Sequence, residues 1–197
     1  MSKIKESGFS LPELITVIAV LGILAAIAVP TSSSFLPNAK LKSAARNLYS
    51  NLQLAKLTAI KQNTACAIVF DSGVSPGRYF VCSDPGVNGN WDGPAAMGGD
   101  DVVVKAIDMT VYGSNIDYGS GTAADDIPGG GAPPADVITY AAPADVAVFS
   151  HTGTVLNPGA SGSYVYLSNN RGTTYGIGTP STAGGVILRR WINGGWE

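Results

Sequence analysis

Charge is scarce in this 197-residue chain: Asp, Glu, Lys and Arg make up 13% of it, and the net charge is −2. Its surface must therefore be rich in Ser, Thr, Asn and Gly, which suits a domain packed among neighbours better than a highly soluble cytosolic enzyme. Histidine is nearly missing. His151 is the only one, which excludes paired-histidine metal cages, and its Ser-His-Thr-Gly setting reads as a turn. Two cysteines, Cys66 and Cys82, are too few for a structural zinc site and fit an exported domain with one optional disulfide. No serine stands in a Gly-x-Ser-x-Gly elbow, and no glycine-rich phosphate loop follows a strand and opens a helix. No catalytic constellation results, so neither an enzyme nor a cofactor is expected. Acid is missing over one long stretch: between Glu13 and Asp71 there is no carboxylate, while Lys40, Lys42, Arg46, Lys56 and Lys61 lie there. The amino-terminal helix is thus basic and the remainder acidic. Either this is a solvated helix face, or it meets anionic headgroups or the acidic part of a neighbouring subunit.

Apolar residues are concentrated from Leu14 to Val29, interrupted only by Thr16 and preceded by Glu13. Together with Phe9 to Glu13 the run approaches the roughly 20 residues that span a bilayer. A carboxylate at the mouth of such a segment is costly. An ordinary processing segment places its apolar core before the cleavage point, not after it. Here a short leader with Lys3, Lys5 and Glu6 reaches a small-to-aromatic step at Gly8-Phe9, and the apolar core follows. Pro12 is tolerated in a first helical turn. Pro30 ends the purely apolar part; the helical pattern resumes beyond it, so a kink or local break is expected there.

From Ser34 to about Asn63 the pattern is amphipathic. Leu41, Ala45, Leu48, Leu52, Ala55 and Ala59 recur every three or four residues and share one face. With 25 Gly and 12 Pro, many turns are expected after it. Thr64–Phe70 and Arg78–Cys82 read as a hairpin around the turn cluster Asp71–Gly77. Centred on Val74, it sets Cys66 opposite Cys82 and Phe70 opposite Arg78. Cysteines so placed either bridge, contributing on the order of 3 kcal/mol, or stay as two buried thiols.

Ser83–Asp101 reads as a loop. Its Asn88-Gly89-Asn90-Trp91-Asp92-Gly93 partly matches the alternating oxygen ligands of a calcium loop. The match starts with Asn and lacks the closing glutamate; Asp84, Asp100 and Asp101 add oxygens if the loop folds back. The alternative is a turn-rich loop with solvated acids. Val102–Val111, Val137–Tyr140, Val146–Phe149, Tyr164–Leu167, Thr174–Gly178 and Gly184–Trp191 read as strands. Residues 113–136 read as an exposed, mobile insertion rich in Gly, Ala, Pro and Asp.

The stretch Gly8-Phe9-Ser10-Leu11-Pro12-Glu13 with the apolar run to Pro30 resembles the class III, prepilin-type signal of type IV pilins and type II secretion pseudopilins. The resemblance implies cleavage after Gly8 by a prepilin peptidase and methylation of the new Phe9 amine. It also implies that Glu13 pairs with the Phe9 amine of a neighbouring subunit during assembly. The later succession Phe149…Gly153-Thr154, Tyr164–Leu167, Tyr175-Gly176-Ile177 and Ser181–Trp191 is similar to the GspH/FimT domain of minor pseudopilins and minor pilins. It departs from that pattern in having no arginine after Gly184-Gly185. The fold implied is α+β and pilin-like, a long N-terminal helix packed on an antiparallel β-rich head. Its division is a leader at 1–8, a transmembrane and assembly helix at 9–30, an amphipathic half at 31–63 and a head at 64–197. The implied role is structural: a minor pseudopilin or minor pilin in a type II secretion pseudopilus or type IV pilus, anchored once in the inner membrane with its head in the periplasm. Its partners are the peptidase, other pilins or pseudopilins, the inner-membrane assembly platform and an ATPase that supplies the work. Two alternatives are a major filament subunit and a FimT-like DNA-binding pilin. In the latter Arg189 and Arg190, with Arg171, contact phosphates and Trp191 stacks on a base. The competing reading of that strand is a solvated edge guarded by charge.

Overall fold

The structure, a computed structural model, describes residues 9–128, 131, 136–159 and 161–197, and for residues 27–34 the backbone alone. Ser10 opens the long helix α1 (Leu11–Gln62): its carbonyl accepts from the Glu13 and Leu14 amides at 3.1 and 3.2 Å. Pro12 falls where its missing N–H would have no partner, and Glu13 favours the positive end of the helix dipole. The helix then continues through Pro30 and Pro37, so the local break expected at Pro30 does not occur. Each proline deletes a single donor from the ladder, and the flanking turns stay bonded. Asn63 ends the helix in the left-handed region (φ 54°), with the Thr64 amide reaching back to the Ala59 carbonyl at 3.2 Å.

The chain divides into two compact units, with the boundary between Leu36 and Pro37. The first is the amino-terminal part of α1. The second begins with the rest of α1 and adds, among the described residues, nine strands: β1 Cys66–Asp71, β2 Arg78–Asp84, β3 Val102–Asp108, β4 Ile116–Tyr118, β5 Val146–Phe149, β6 Ser163–Asn169, β7 Thr174–Thr179, β8 Ile187–Ile192 and β9 Gly195–Trp196. They form two sheets, ordered β3-β2-β1-β5 and β4-β6-β7-β8-β9, with antiparallel pairing throughout. This is the expected α+β architecture.

The helix stripe makes the core. Leu41, Ala44, Ala45, Leu48, Leu52, Ala55 and Ala59 pack on inward residues of both sheets, among them Cys66, Ile68, Phe70, Tyr79, Val81, Val165, Leu167 and Ile177. Each sheet also has a covered outer face, which explains why strands such as Cys66–Phe70 read as unbroken apolar runs rather than alternating ones. On the first sheet Ala67, Val69, Phe80, Cys82, Val146 and Val148 pack with Trp91 and Met97 of the 85–101 loop. On the second, Ile127 packs on Tyr164 and Tyr166.

That last contact changes the reading of residues 113–136. They carry β4, which pairs with β6 and buries Ile116; Ile127 is also buried, and its amide donates to the Tyr166 hydroxyl at 2.9 Å. A Cβ at residue 176 would sit 2.3 Å from Ile127 Cδ1, so Gly176 is what lets this segment lie flat on β7. The expected loose insertion is, in its described parts, a strand followed by a cover for the second sheet. Val137–Tyr140, by contrast, forms only a single bridge, Ile138 to Val165.

Candidate assembly helix and polar sites of the head

All described side chains from Phe9 to Ala26 are exposed. Leu11, Leu14, Ile15, Val17, Ile18, Val20, Leu21, Ile23 and Leu24 lie around the whole circumference of the helix, not along one stripe. A helix apolar on every side needs lipid or protein around it. Within it Glu13 is the only ionic group. Thr16 is no partner for that carboxylate: its hydroxyl donates to the Glu13 backbone carbonyl at 2.8 Å. Among the described residues the carboxylate has no partner at all, and Phe9 beside it is 80% exposed. Gly8, the other half of the expected processing step, lies outside the described residues. Among the described residues no helix is long and apolar enough to cross a membrane. The described side chains of this run end at Ala26, and its remainder to Val29 lies outside them.

The cysteines do not face each other. The hairpin pairs Ala67 with Cys82 and Asp71 with Arg78, one residue away from the expected register. Because side chains alternate, that shift sends Cys66 to the helix side and Cys82 to the outer side of the sheet. Both are free thiols, and Cys66 Sγ donates to the Cys82 carbonyl at 2.9 Å. Burial pushes the Cys66 thiol up to about 11; burial and then the charge of Asp101 push Cys82 to about 12.

The Asn88-Asn90-Asp92 run builds its own turn. The Asn90 amide donates to Asn88 Oδ1 and Asn88 Nδ2 to Asp92 Oδ2, each at 2.7 Å. Asn88 also touches the acidic group that the fold assembles, its backbone amide donating to Asp100 Oδ2 at 3.3 Å. That group is Asp92, Asp100 and Asp101, with one carboxylate oxygen of each within 4.8 Å of the others. Asp84 stays apart, accepting from the Gly86 amide at 2.8 Å.

At the carboxyl end, Arg189 is exposed while Arg190 is half-buried, its guanidinium 5.9 Å from the Tyr175 ring centre. Arg189 reaches the Trp196 carbonyl at 3.3 Å. Trp191 stands edge-on to Trp196 at 5.3 Å, and Trp196 Nε1 donates to the Asp125 carbonyl at 2.9 Å. The backbone of Arg190 exchanges two hydrogen bonds with Glu197. The arginines therefore alternate across the strand, and one of the two is taken up by an aromatic contact.

Sequence reasoning missed a polar knot between helix and sheet. Asn51, 1% exposed, donates to the Tyr79 hydroxyl at 2.9 Å and accepts from Lys105 Nζ at 2.9 Å, with Asn47 alongside. Burial raises the Tyr79 pKa well above the usual value, so the hydroxyl stays protonated. A polar residue at position 51, beside Leu52 and three residues after Leu48, was the one available signal. Lys56 is likewise tied to the head, through the Gly184 carbonyl at 2.9 Å, whereas Lys40, Lys42, Arg46 and Lys61 are exposed.

A half-exposed, half-buried helix seated on antiparallel sheets is the layout of a pilin-like subunit. The chain belongs to the family described as type II transport protein GspH, which matches residues 44–189, three quarters of its length. The prokaryotic N-terminal methylation motif matches residues 3–29. No curated protein and no solved structure matches it. The protein is thus a minor pseudopilin of the type II secretion and type IV pilin-like class.

Proposed function

We propose that this subunit is cut by a prepilin peptidase between Gly8 and Phe9, methylated on the Phe9 amine, and assembled into a filament through its exposed apolar helix. The observation that carries this reading is the all-round apolar surface from Phe9 to Ala26 with the single carboxylate of Glu13 at its start. Before assembly the apolar half lies in the inner membrane and the head in the periplasm. In the low-dielectric interior of a filament an unpaired carboxylate is costly. The positive Phe9 amine of a neighbouring subunit neutralises it, and only one axial register brings the two together. Glu13 therefore sets register, and the apolar circumference supplies contact area. The role is structural, with the work of extension supplied by a partner ATPase through the assembly platform.

The test is Glu13→Ala in cells. The variant is processed normally, seen as the same mobility shift on an immunoblot, and disappears from the sheared filament fraction. Normal amounts in that fraction would overturn the role given to Glu13.

A further inference from the structure

The loop that covers the first sheet holds negative charge without a cation. No basic residue lies between Arg78 and Lys105. Arg78 is engaged by Asp71 at 2.7 Å and by the Ala96 carbonyl at 3.2 Å, and Lys105 by Asn51. Asp92, Asp100 and Asp101 nevertheless converge. Each has one oxygen fixed by the loop itself: Asp92 Oδ2 by Asn88 Nδ2, Asp100 Oδ2 by the Val87 and Asn88 amides at 2.7 and 3.3 Å, and Asp101 Oδ2 by the Gly93 amide at 3.0 Å. Asp101 is 6% exposed, its Oδ1 has no oxygen or nitrogen donor, and the one side-chain donor to its carboxylate is the weak Cys82 thiol. A buried carboxylate served by no side-chain donor stronger than a thiol, beside two further carboxylates, is a costly arrangement unless something fills it.

We propose that Asp92, Asp100 and Asp101 form a calcium site that fastens the 85–101 loop over the outer face of the first sheet. The group offers oxygen alone, which suits a hard cation. Calcium takes oxygens at about 2.3–2.6 Å in flexible geometry, whereas magnesium demands a near-ideal octahedron at about 2.0–2.1 Å and keeps several waters. Three carboxylate oxygens within 4.8 Å of one another on an irregular loop suit the ion that tolerates irregular oxygen sets. The glycines are in keeping: a Cβ at residue 99 would lie 2.2 Å from Asp92 Oδ1, and one at residue 86 would lie 2.4 Å from Asp100 Cγ. Trp91, next to Asp92, packs on the outer cluster of the sheet and gives the site an optical reporter.

The experiment uses the full chain purified in detergent and stripped with EGTA. Calcium chloride is added while heat release, tryptophan fluorescence and melting temperature are followed. One ion is bound per chain, with half-saturation in the range of about 0.1–1 mM found for extracellular modules. At tenfold higher calcium the melting temperature rises by about 3–6 °C. The double variant Asp92→Asn/Asp100→Asn, altered only at exposed side chains, binds at least about tenfold more weakly. Asp126→Asn, outside the loop, binds as the parent does. Absence of saturable uptake about tenfold above that range overturns the proposal. So does unchanged affinity in the double variant, or an equal response to magnesium chloride.

Discussion

The two halves of α1 share one backbone and carry opposite surfaces. From Phe9 to Ala26 every described side chain is exposed. From Leu41 to Ala59 the stripe Leu41, Ala44, Ala45, Leu48, Leu52, Ala55 and Ala59 is no more than 2% exposed. The apolar stripe of the second half is satisfied inside the chain, with Leu57 and Ile60 left exposed beside it, whereas in the first half every described apolar side chain is at the surface. The same chemical property thus serves folding in one half and, in the role proposed above, association in the other. What separates them is angular distribution: a stripe in the second half, the full circumference in the first.

The sharpest way to break this contrast is to make the same substitution in both halves. Leu52→Ala should cost the head about 2–5 kcal/mol, since it removes a fully buried side chain from between helix and sheets. Leu21→Ala should shift the same unfolding transition by less than about 0.5 kcal/mol. Denaturant titration of the full chain in detergent, followed by near-ultraviolet circular dichroism, reads both; equal losses would dissolve the distinction. A smaller effect is expected where the second half carries a polar group. Asn51→Ala leaves the buried Tyr79 hydroxyl without its partner and should cost about 1–3 kcal/mol in the same assay.

The smallest effect lies away from the helix. Asp108 accepts from the Thr110 amide at 2.8 Å, and hydrogen bonding from Thr110 holds its carboxyl below the ordinary 3.8. Its stabilisation is therefore present above the unfolded-state value and lost as pH falls through the folded-state value. The stability gap between the parent and Asp108→Ala should narrow on acidification. A gap independent of pH would show that the carboxylate charge plays no part.

The helix stripe was legible residue by residue: Leu41, Ala45, Leu48, Leu52, Ala55 and Ala59 were placed on one face by spacing, and each is fully buried. The Cys66–Cys82 hairpin was legible as a hairpin and misread by one position, because the length of a turn rich in Ser, Gly and Pro does not fix register. That single position decided that the two thiols lie on opposite faces. β4 went unseen because Ile116-Asp117-Tyr118 is too short to show alternation inside a glycine-rich stretch. The acidic group was half visible: Asp92 stood out in a ligand-like run, but its companions come from eight and nine residues later, and the Asn88 and Asn90 beside it are used in the turn.

The sequence by itself determined the elements whose signal is local and periodic: the apolar run with its carboxylate, the amphipathic stripe and most of the strands. It also determined the family, through residues contiguous along the chain. Tertiary structure alone decided which face each cysteine takes, that residues 116–118 join the second sheet and Ile127 covers it, that Asn51, Tyr79 and Lys105 meet, and that three aspartates converge. Those outcomes depend on strand register and on loops folding back. Register in a period-two structure turns on a single residue, and loop closure joins groups whose separation along the chain carries no periodic trace.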